Sequence, residues 1–194
     1  MDFAEAVRRR RMVRAYRPDP VEPAALERIL DAATRGPSAG FSQGQTCVVV
    51  TDADDRRRIA ELCDEPAYVA RGFDPWISQA PVHVVVCTSR TAYERRYAEP
   101  DKAGSDPPAA WDVPFWWVDA GAALMLLLLA ATNEGLAAGF QSIDGAAVGA
   151  FLGIPPEHAP LGLVTIGHPA PDRPSGSLRR GRRPAVETVH HGRW

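Results

Sequence analysis

The chain has 194 residues, 45% of them hydrophobic and 24% charged, with a formal net charge of −2. This is an ordinary globular composition in an amount suited to one domain, and it gives no global field to recruit nucleic acid or an anionic membrane. Three cysteines without a CxxC argue against a disulfide framework, and MDFAEAVRRRR lacks the long apolar region of a secretory signal, so a cytoplasmic location is expected.

Asp2 is placed to cap a first helix that turns Phe3, Ala6 and Val7 to one face. Arg8 to Arg11, Met12, Val13 and Arg14 follow. Pro18 and Pro20 forbid further helix, so the arginines fall at the helix end and in the loop leaving it. Pro23 opens a second helix with Leu26, Ile29, Leu30 and Ala33 at helical spacing, and Gly36-Pro37 ends it. The loop from Pro37 to Gly44 is rich in small and hydrogen-bonding residues. Thr46 to Thr51 reads as a strand, and Asp52 or Asp54 caps a third helix carrying Ile59, Leu62 and Cys63. Val82 to Thr88 is nearly all apolar, as expected for a strand buried on both faces, and His83 within it reads as a satisfied core histidine. From Ser89 to Pro114 the expectation is a long irregular excursion, a lid or binding loop.

The stretch from Phe115 to Ala138 organises the rest. No polar side chain occurs between Ala120 and Ala131, and Thr132, Asn133 and Glu134 stop the run. A helix apolar all round is buried on all sides. Its apolar run falls short of the roughly 18–20 residues that span a bilayer, so no membrane is expected. A chain this small has little material to wrap such a helix, so a second subunit is expected to cover part of it. Asp144 then caps a short helix ending at Leu152-Gly153, Leu161 to Gly167 is the last core strand, and the tail from Ser177 is arginine-rich.

Chemistry of the chain's own is hard to find. There is no GxSxG, no HExxH, no Cys/His cluster for a metal, no GxGxxG and no evident carboxylate pair. Such a protein is a candidate for cofactor chemistry. Two arginine clusters, Arg8 to Arg14 and Arg179 to Arg183, suit a phosphate monoester. The net charge and the lack of interleaved aromatics argue against a nucleic-acid binder.

Arg10-Arg11-Met12-Val13-Arg14 with Tyr16 resembles the RRSxR-x-F opening of the nitroreductase family of FMN flavoproteins. Pro37 to Gln43 resembles its PSxxNxQPW loop, and Trp117 to Leu136 its DxGxAxxxLxLaAxxxGL helix. Gln141-Ser142-Ile143-Asp144 and Leu152-Gly153-Ile154-Pro155 resemble its GGFD…LGLP segment, and Leu163 to Pro169 with Arg182-Arg183-Pro184…Glu187…Val189-His190 its closing strand and tail. The likeness runs in order over nearly the whole chain. It departs at Met12 for the usual serine, Phe41 for asparagine, Gly44-Gln45 for Pro-Trp, and Gln141-Ser142 for Gly-Gly or Glu-Gly.

The resemblance implies one α+β domain over residues 1–194, a mainly antiparallel central sheet flanked by helices, and a homodimer around the long apolar helix. It implies FMN held by Arg10, Arg11, Met12 and Arg14 at the phosphate and ribityl end, with Arg180 and Arg182 closing over the phosphate. Ser38, Ala39 and Phe41 would come from the partner subunit. Gln141 and Ser142 would run along the flavin edge, with the Ser142 backbone near N5. No catalytic side chain is assigned. The implied activity is hydride transfer from NADH or NADPH through flavin N5 to an oxidised acceptor, nitroaromatic or quinone-like, by a ping-pong mechanism. The alternatives are an FMN-dependent dehydrogenase of a biosynthetic intermediate and a flavin-sequestering protein without turnover. With 89–114 a substrate or lid excursion, the segment from Tyr93 to Trp117 is expected to wall the pocket over the flavin, with Tyr97, Trp111 and Trp116 meeting an aromatic acceptor.

Overall fold

The computed structural model describes residues 1–173 and 175–194. Strands β1 (Gln45–Val50), β2 (Val82–Thr88), β3 (Ala137–Gln141) and β4 (Ala159–Gly167) form one antiparallel sheet in the order β1-β2-β4-β3. Helices α1 (Phe3–Arg9), α2 (Pro23–Thr34), α3 (Ala53–Leu62), α4 (Glu65–Ala70), α5 (Arg90–Tyr97), α6 (Phe115–Asn133) and α7 (Gly145–Leu152) surround it. The expected α+β class with an antiparallel sheet is what the chain adopts. Asp2, Asp52 and Asp144 cap α1, α3 and α7 by accepting from backbone N–H groups of the first turn.

The apolar run Val82–Thr88 is central and buried throughout. One face packs Val84 and Val86 with Val164 and Ile166 against Ile29 of α2 and Leu127 and Leu128 of α6. The other packs Val85 and Leu163 against Ile59 of α3, Val148 of α7 and the Trp76-Ile77 segment. Each fully buried leucine or isoleucine contributes about 1.5–3 kcal/mol.

Helix α6 departs from the expectation of burial on every side. It has 19 residues, long and apolar enough by length and composition to cross a membrane, yet only 33% of its most apolar window is buried within the chain. Asp119, Ala120, Ala123, Leu127, Leu128 and Ala131 face inward, whereas Val118 and Met125 are 51% and 46% exposed. Residues 89–114 also differ from the expected irregular stretch. They hold α5, capped by Ser89, and two short 3-10 turns at Pro100–Lys102 and Pro108–Ala110.

His83 is only half satisfied. Its Nε2 lies 2.7 Å from the Ile77 carbonyl, which can only accept, so Nε2 carries the proton; Nδ1 is buried with no partner among the described residues. Burial lowers its pKa from 6.5 to about 4. The unfolded chain therefore takes up a proton below about pH 6.5 that the folded chain refuses until about pH 4. The stability from neutral His83 is fully present above pH 6.5 and falls as the pH drops toward 4, by up to about 3 kcal/mol. Urea unfolding of the wild type and of His83→Leu across this window should show a steep acid loss in the first and a shallower one in the second. Equal slopes would contradict the assignment.

Candidate functional site

Strand β3 is an edge of the sheet, and the arginine segment is laid along it. Met12 pairs with Ala138 in parallel and Tyr16 with Pro169 in antiparallel sense. Val13 N–H donates to the Ala138 carbonyl at 3.0 Å, and Arg14 N–H to Asp172 Oδ2 at 2.8 Å. Tyr16 anchors the turn from below. Its hydroxyl donates to the Val13 carbonyl at 2.9 Å and lies 2.8 Å from the Thr165 hydroxyl. Burial, more than any neighbouring charge, raises the Tyr16 pKa, so it remains a neutral donor. Gly139 is required where the segments cross, because a Cβ there would lie 2.5 Å from the Val13 carbonyl oxygen.

This crossing decides where the cations go. Arg10 Nη1 is buried with no hydrogen-bond partner among the described residues. A buried guanidinium nitrogen left bare is costly, and an anionic ligand oxygen is a group suited to relieve it. Arg11, Met12 and Arg14 are exposed beside it. Arg14 stacks over the Trp76 ring at 5.6 Å and lines a cavity of about 290 Å³ with Gln141, Arg71, Tyr68 and Cys63. The sequence-assigned Arg14 and Gln141 are thus brought together, although 127 positions separate them, as the difference of their numbers shows. Ser142 follows β3 and is exposed. Burial pushes the Cys63 thiol up to about 11, which removes it as a thiolate nucleophile at neutral pH. The cavity is bounded by Glu65, whose buried carboxylate accepts from the N–H groups of Trp76, Ile77 and Ser78 at 2.7, 2.6 and 3.2 Å. Groups of metal-ligating side chains are absent among the described residues.

A second assembly lies around the Pro37–Gly44 loop. Phe41 is 73% exposed, and Ser38 and Ala39 are half-buried. Tyr97 and Trp111 meet edge to face with centroids 4.8 Å apart, and Trp111 stacks toward Trp116 at 6.4 Å. The three expected acceptor residues therefore form one cluster, to which Phe115 adds a ring 5.5 Å from Trp111. Tyr93, also in this stretch, is not a free stacking face: it is fully buried and donates to Asp119. Arg180 and Arg182 lie in an exposed tail, near Arg183, which is bonded to Glu187. No described hydrogen bond or ion pair joins them to the Arg10–Arg14 segment.

Sequence reasoning missed Arg71 and Trp76, and it held Tyr16 and Asp119 only as positions of the family motifs, with no role in these assemblies. Asp119 was detectable in principle, since a lone carboxylate on the inner face of an apolar helix requires partners.

A model of the nitroreductase family matches residues 7–168, most of the chain but not the arginine tail. An FMN reductase [NAD(P)H] of Bacillus subtilis is 31% identical over 195 residues, spanning 93% of this chain and 69% of that protein. An NADH dehydrogenase of Thermus thermophilus is 31% identical over 191 residues, 88% of each chain. The crystal structure of a nitroreductase family protein from Streptococcus pneumoniae superposes with a TM-score of 0.76 at 22% identity, over 97% of this chain and 99% of that one, a likeness of fold. With the motifs in order, the fold shared and most of its length matched, the chain belongs to the nitroreductase family.

Proposed function

We propose that the protein is an FMN-dependent oxidoreductase that uses NADH or NADPH to reduce an oxidised aromatic acceptor, nitroaromatic or quinone-like, as a cytoplasmic homodimer. The structural observation that carries this reading is the buried, unpartnered Arg10 Nη1 at the head of an exposed cationic segment. It fits the phosphate of FMN, and the relative named an FMN reductase points to the same group. FMN would supply the redox chemistry, cycling hydride between nicotinamide and acceptor. Arg10, Arg11 and Arg14 would neutralise its phosphate and hold the ribityl end, with Met12 supplying backbone only where a serine hydroxyl is usual. Gln141 and Ser142 would border the reactive edge, the Ser142 N–H serving as a fixed donor. Arg180 and Arg182 would reach the phosphate by movement of the exposed tail. Consumption of NADH or NADPH that requires both bound FMN and an added quinone or nitroaromatic tests the reading; a flavin-loaded protein inert with every such pair would overturn it.

The dimer reading is supported by α6. Val118 and Met125 are exposed apolar side chains on one side of α6; on another side Ala123 lines a groove of about 770 Å³ with Leu30, Phe41 and Val49, and with polar residues such as Asp31, Arg35 and Gln45. Exposed apolar side chains on a helix that the rest of the chain covers only in part favour an interface with a second copy. Sedimentation should give a dimer, and a folded, FMN-loaded monomer would contradict it.

The aromatic cluster supplies the acceptor wall. Trp111→Ala removes the ring shared by Tyr97, Phe115 and Trp116. It should change kcat/KM unevenly, by roughly 5- to 10-fold for some acceptors, since an aromatic pair contributes about 0.5–1.5 kcal/mol beyond its area. FMN content should stay constant. Equal effects on every acceptor would place the cluster in packing alone.

A further inference from the structure

The Pro37–Gly44 loop is exposed at its tip yet firmly held. Phe41 and Gln43 are non-glycine residues in the left-handed region, at φ 58° and 50°. Such conformations persist only where surrounding contacts over-determine them, and they gather at functional sites. The contacts come from α5 and α6. Asp119 Oδ2 accepts from Ala39 N–H at 2.9 Å and from the Tyr93 hydroxyl at 2.7 Å. Arg96 Nε donates to the Gly40 carbonyl at 2.8 Å while its Nη groups are held by Glu99 and Asp101. Gly40 lies at φ 63° with a Cβ position 2.6 Å from the Tyr97 ring, and the Gly44 Cβ position is 2.6 Å from the Tyr93 ring. The loop backbone thus rests on the rings of α5 and hangs from the Asp119 carboxylate, and the Phe41 side chain is left projecting.

We propose that Asp119, Tyr93 and Arg96 are positioning residues for the reaction: they fix the backbone of residues 38–41 so that Ser38, Ala39 and Phe41 meet the cofactor bound by the partner subunit. The inference rests on the FMN reading above together with the expectation that Ser38, Ala39 and Phe41 reach the cofactor of the partner subunit. A buried carboxylate is costly unless hydrogen-bonded, and Asp119 directs its Oδ2 to the loop and to the residue beneath it. Burial first, and then the Asp119 carboxylate, raise the Tyr93 pKa, so its hydroxyl remains a donor at neutral pH. Helix α5 also carries Tyr97, so the loop and the acceptor wall share one support.

The test is a double-mutant cycle in the full chain, reading the FMN dissociation constant, the visible circular dichroism of bound flavin and the Tm of the apoprotein. Tyr93→Phe and Phe41→Ala should each weaken FMN binding roughly 5- to 10-fold, the scale of one hydrogen bond or contact. Tyr93→Phe should also alter the flavin dichroism, and the double variant should lose little more than either single one. Additive losses, or a lowered Tm with FMN binding and dichroism unchanged, would overturn the proposal. Arg96→Gln, at a half-exposed position, gives the same reading if Tyr93→Phe does not fold. Arg10→Ala separates the two levels. If it weakens FMN binding while Tyr93→Phe and Arg96→Gln do not, the clamp alone fails; if wild type binds no FMN, the cofactor reading fails and the clamp with it.

Discussion

Replacing Arg10 by alanine is expected to weaken FMN binding by roughly 10- to 100-fold. A hydrogen bond to a charged group contributes about 1.5–3 kcal/mol, and each 1.4 kcal/mol is a factor of ten in affinity. Arg10 is singled out from its neighbours by its buried, unpartnered Nη1; Arg8, Arg9 and Arg11 are exposed. Its backbone N–H bonds to Ala6 and closes α1, so the side chain can be truncated without disturbing a described side-chain bond. Titration of the apoprotein with FMN measures the effect directly. An unchanged dissociation constant would remove the phosphate assignment. Arg182→Ala tests the tail separately: a comparable loss would mean that the exposed tail closes over the cofactor, and no loss would confine phosphate binding to the N-terminal cluster.

The second large effect is expected at Gly139. An added methyl would lie 2.5 Å from the Val13 carbonyl and 3.1 Å from both the Trp76 ring and the Tyr16 hydroxyl. The nearest of these is backbone and cannot rotate away. Either β3 or the Met12–Arg14 segment must move, and overpacking of this kind costs typically about 1–3 kcal/mol. Because Val13 sits between Met12 and Arg14, Gly139→Ala should lower both unfolding stability and FMN affinity. Denaturant unfolding paired with an FMN titration checks it. Wild-type values in both would show that the crossing is looser than its distances indicate.

The elements that could be read from sequence are those whose composition alone decides their environment. The β-branched run of β2 and the alanine-leucine run of α6 are of this kind. Helix α5 was hidden because RTAYERRY carries no apolar stripe; it is held by the Ser89 cap, the Arg90–Glu94 pair at 2.7 Å and the burial of Tyr93. Strand β3, AAGFQ, has no β-branched residue and exists by pairing with β4. The site divides the same way. Arginines and the small-residue loop were visible as motifs. The Arg14–Gln141 cavity and the Asp119–Tyr93 support join residues distant in sequence, so only the fold could bring them together.

The most direct measurement is anaerobic titration of the FMN-loaded protein with NADPH and then NADH, followed by the visible flavin absorbance. The expected result is bleaching by at least one nicotinamide at one equivalent per flavin, with recovery when a quinone or nitroaromatic is added. Flavin bound at one per chain that neither nicotinamide reduces would contradict an NAD(P)H-dependent oxidoreductase and leave only a flavin-holding protein.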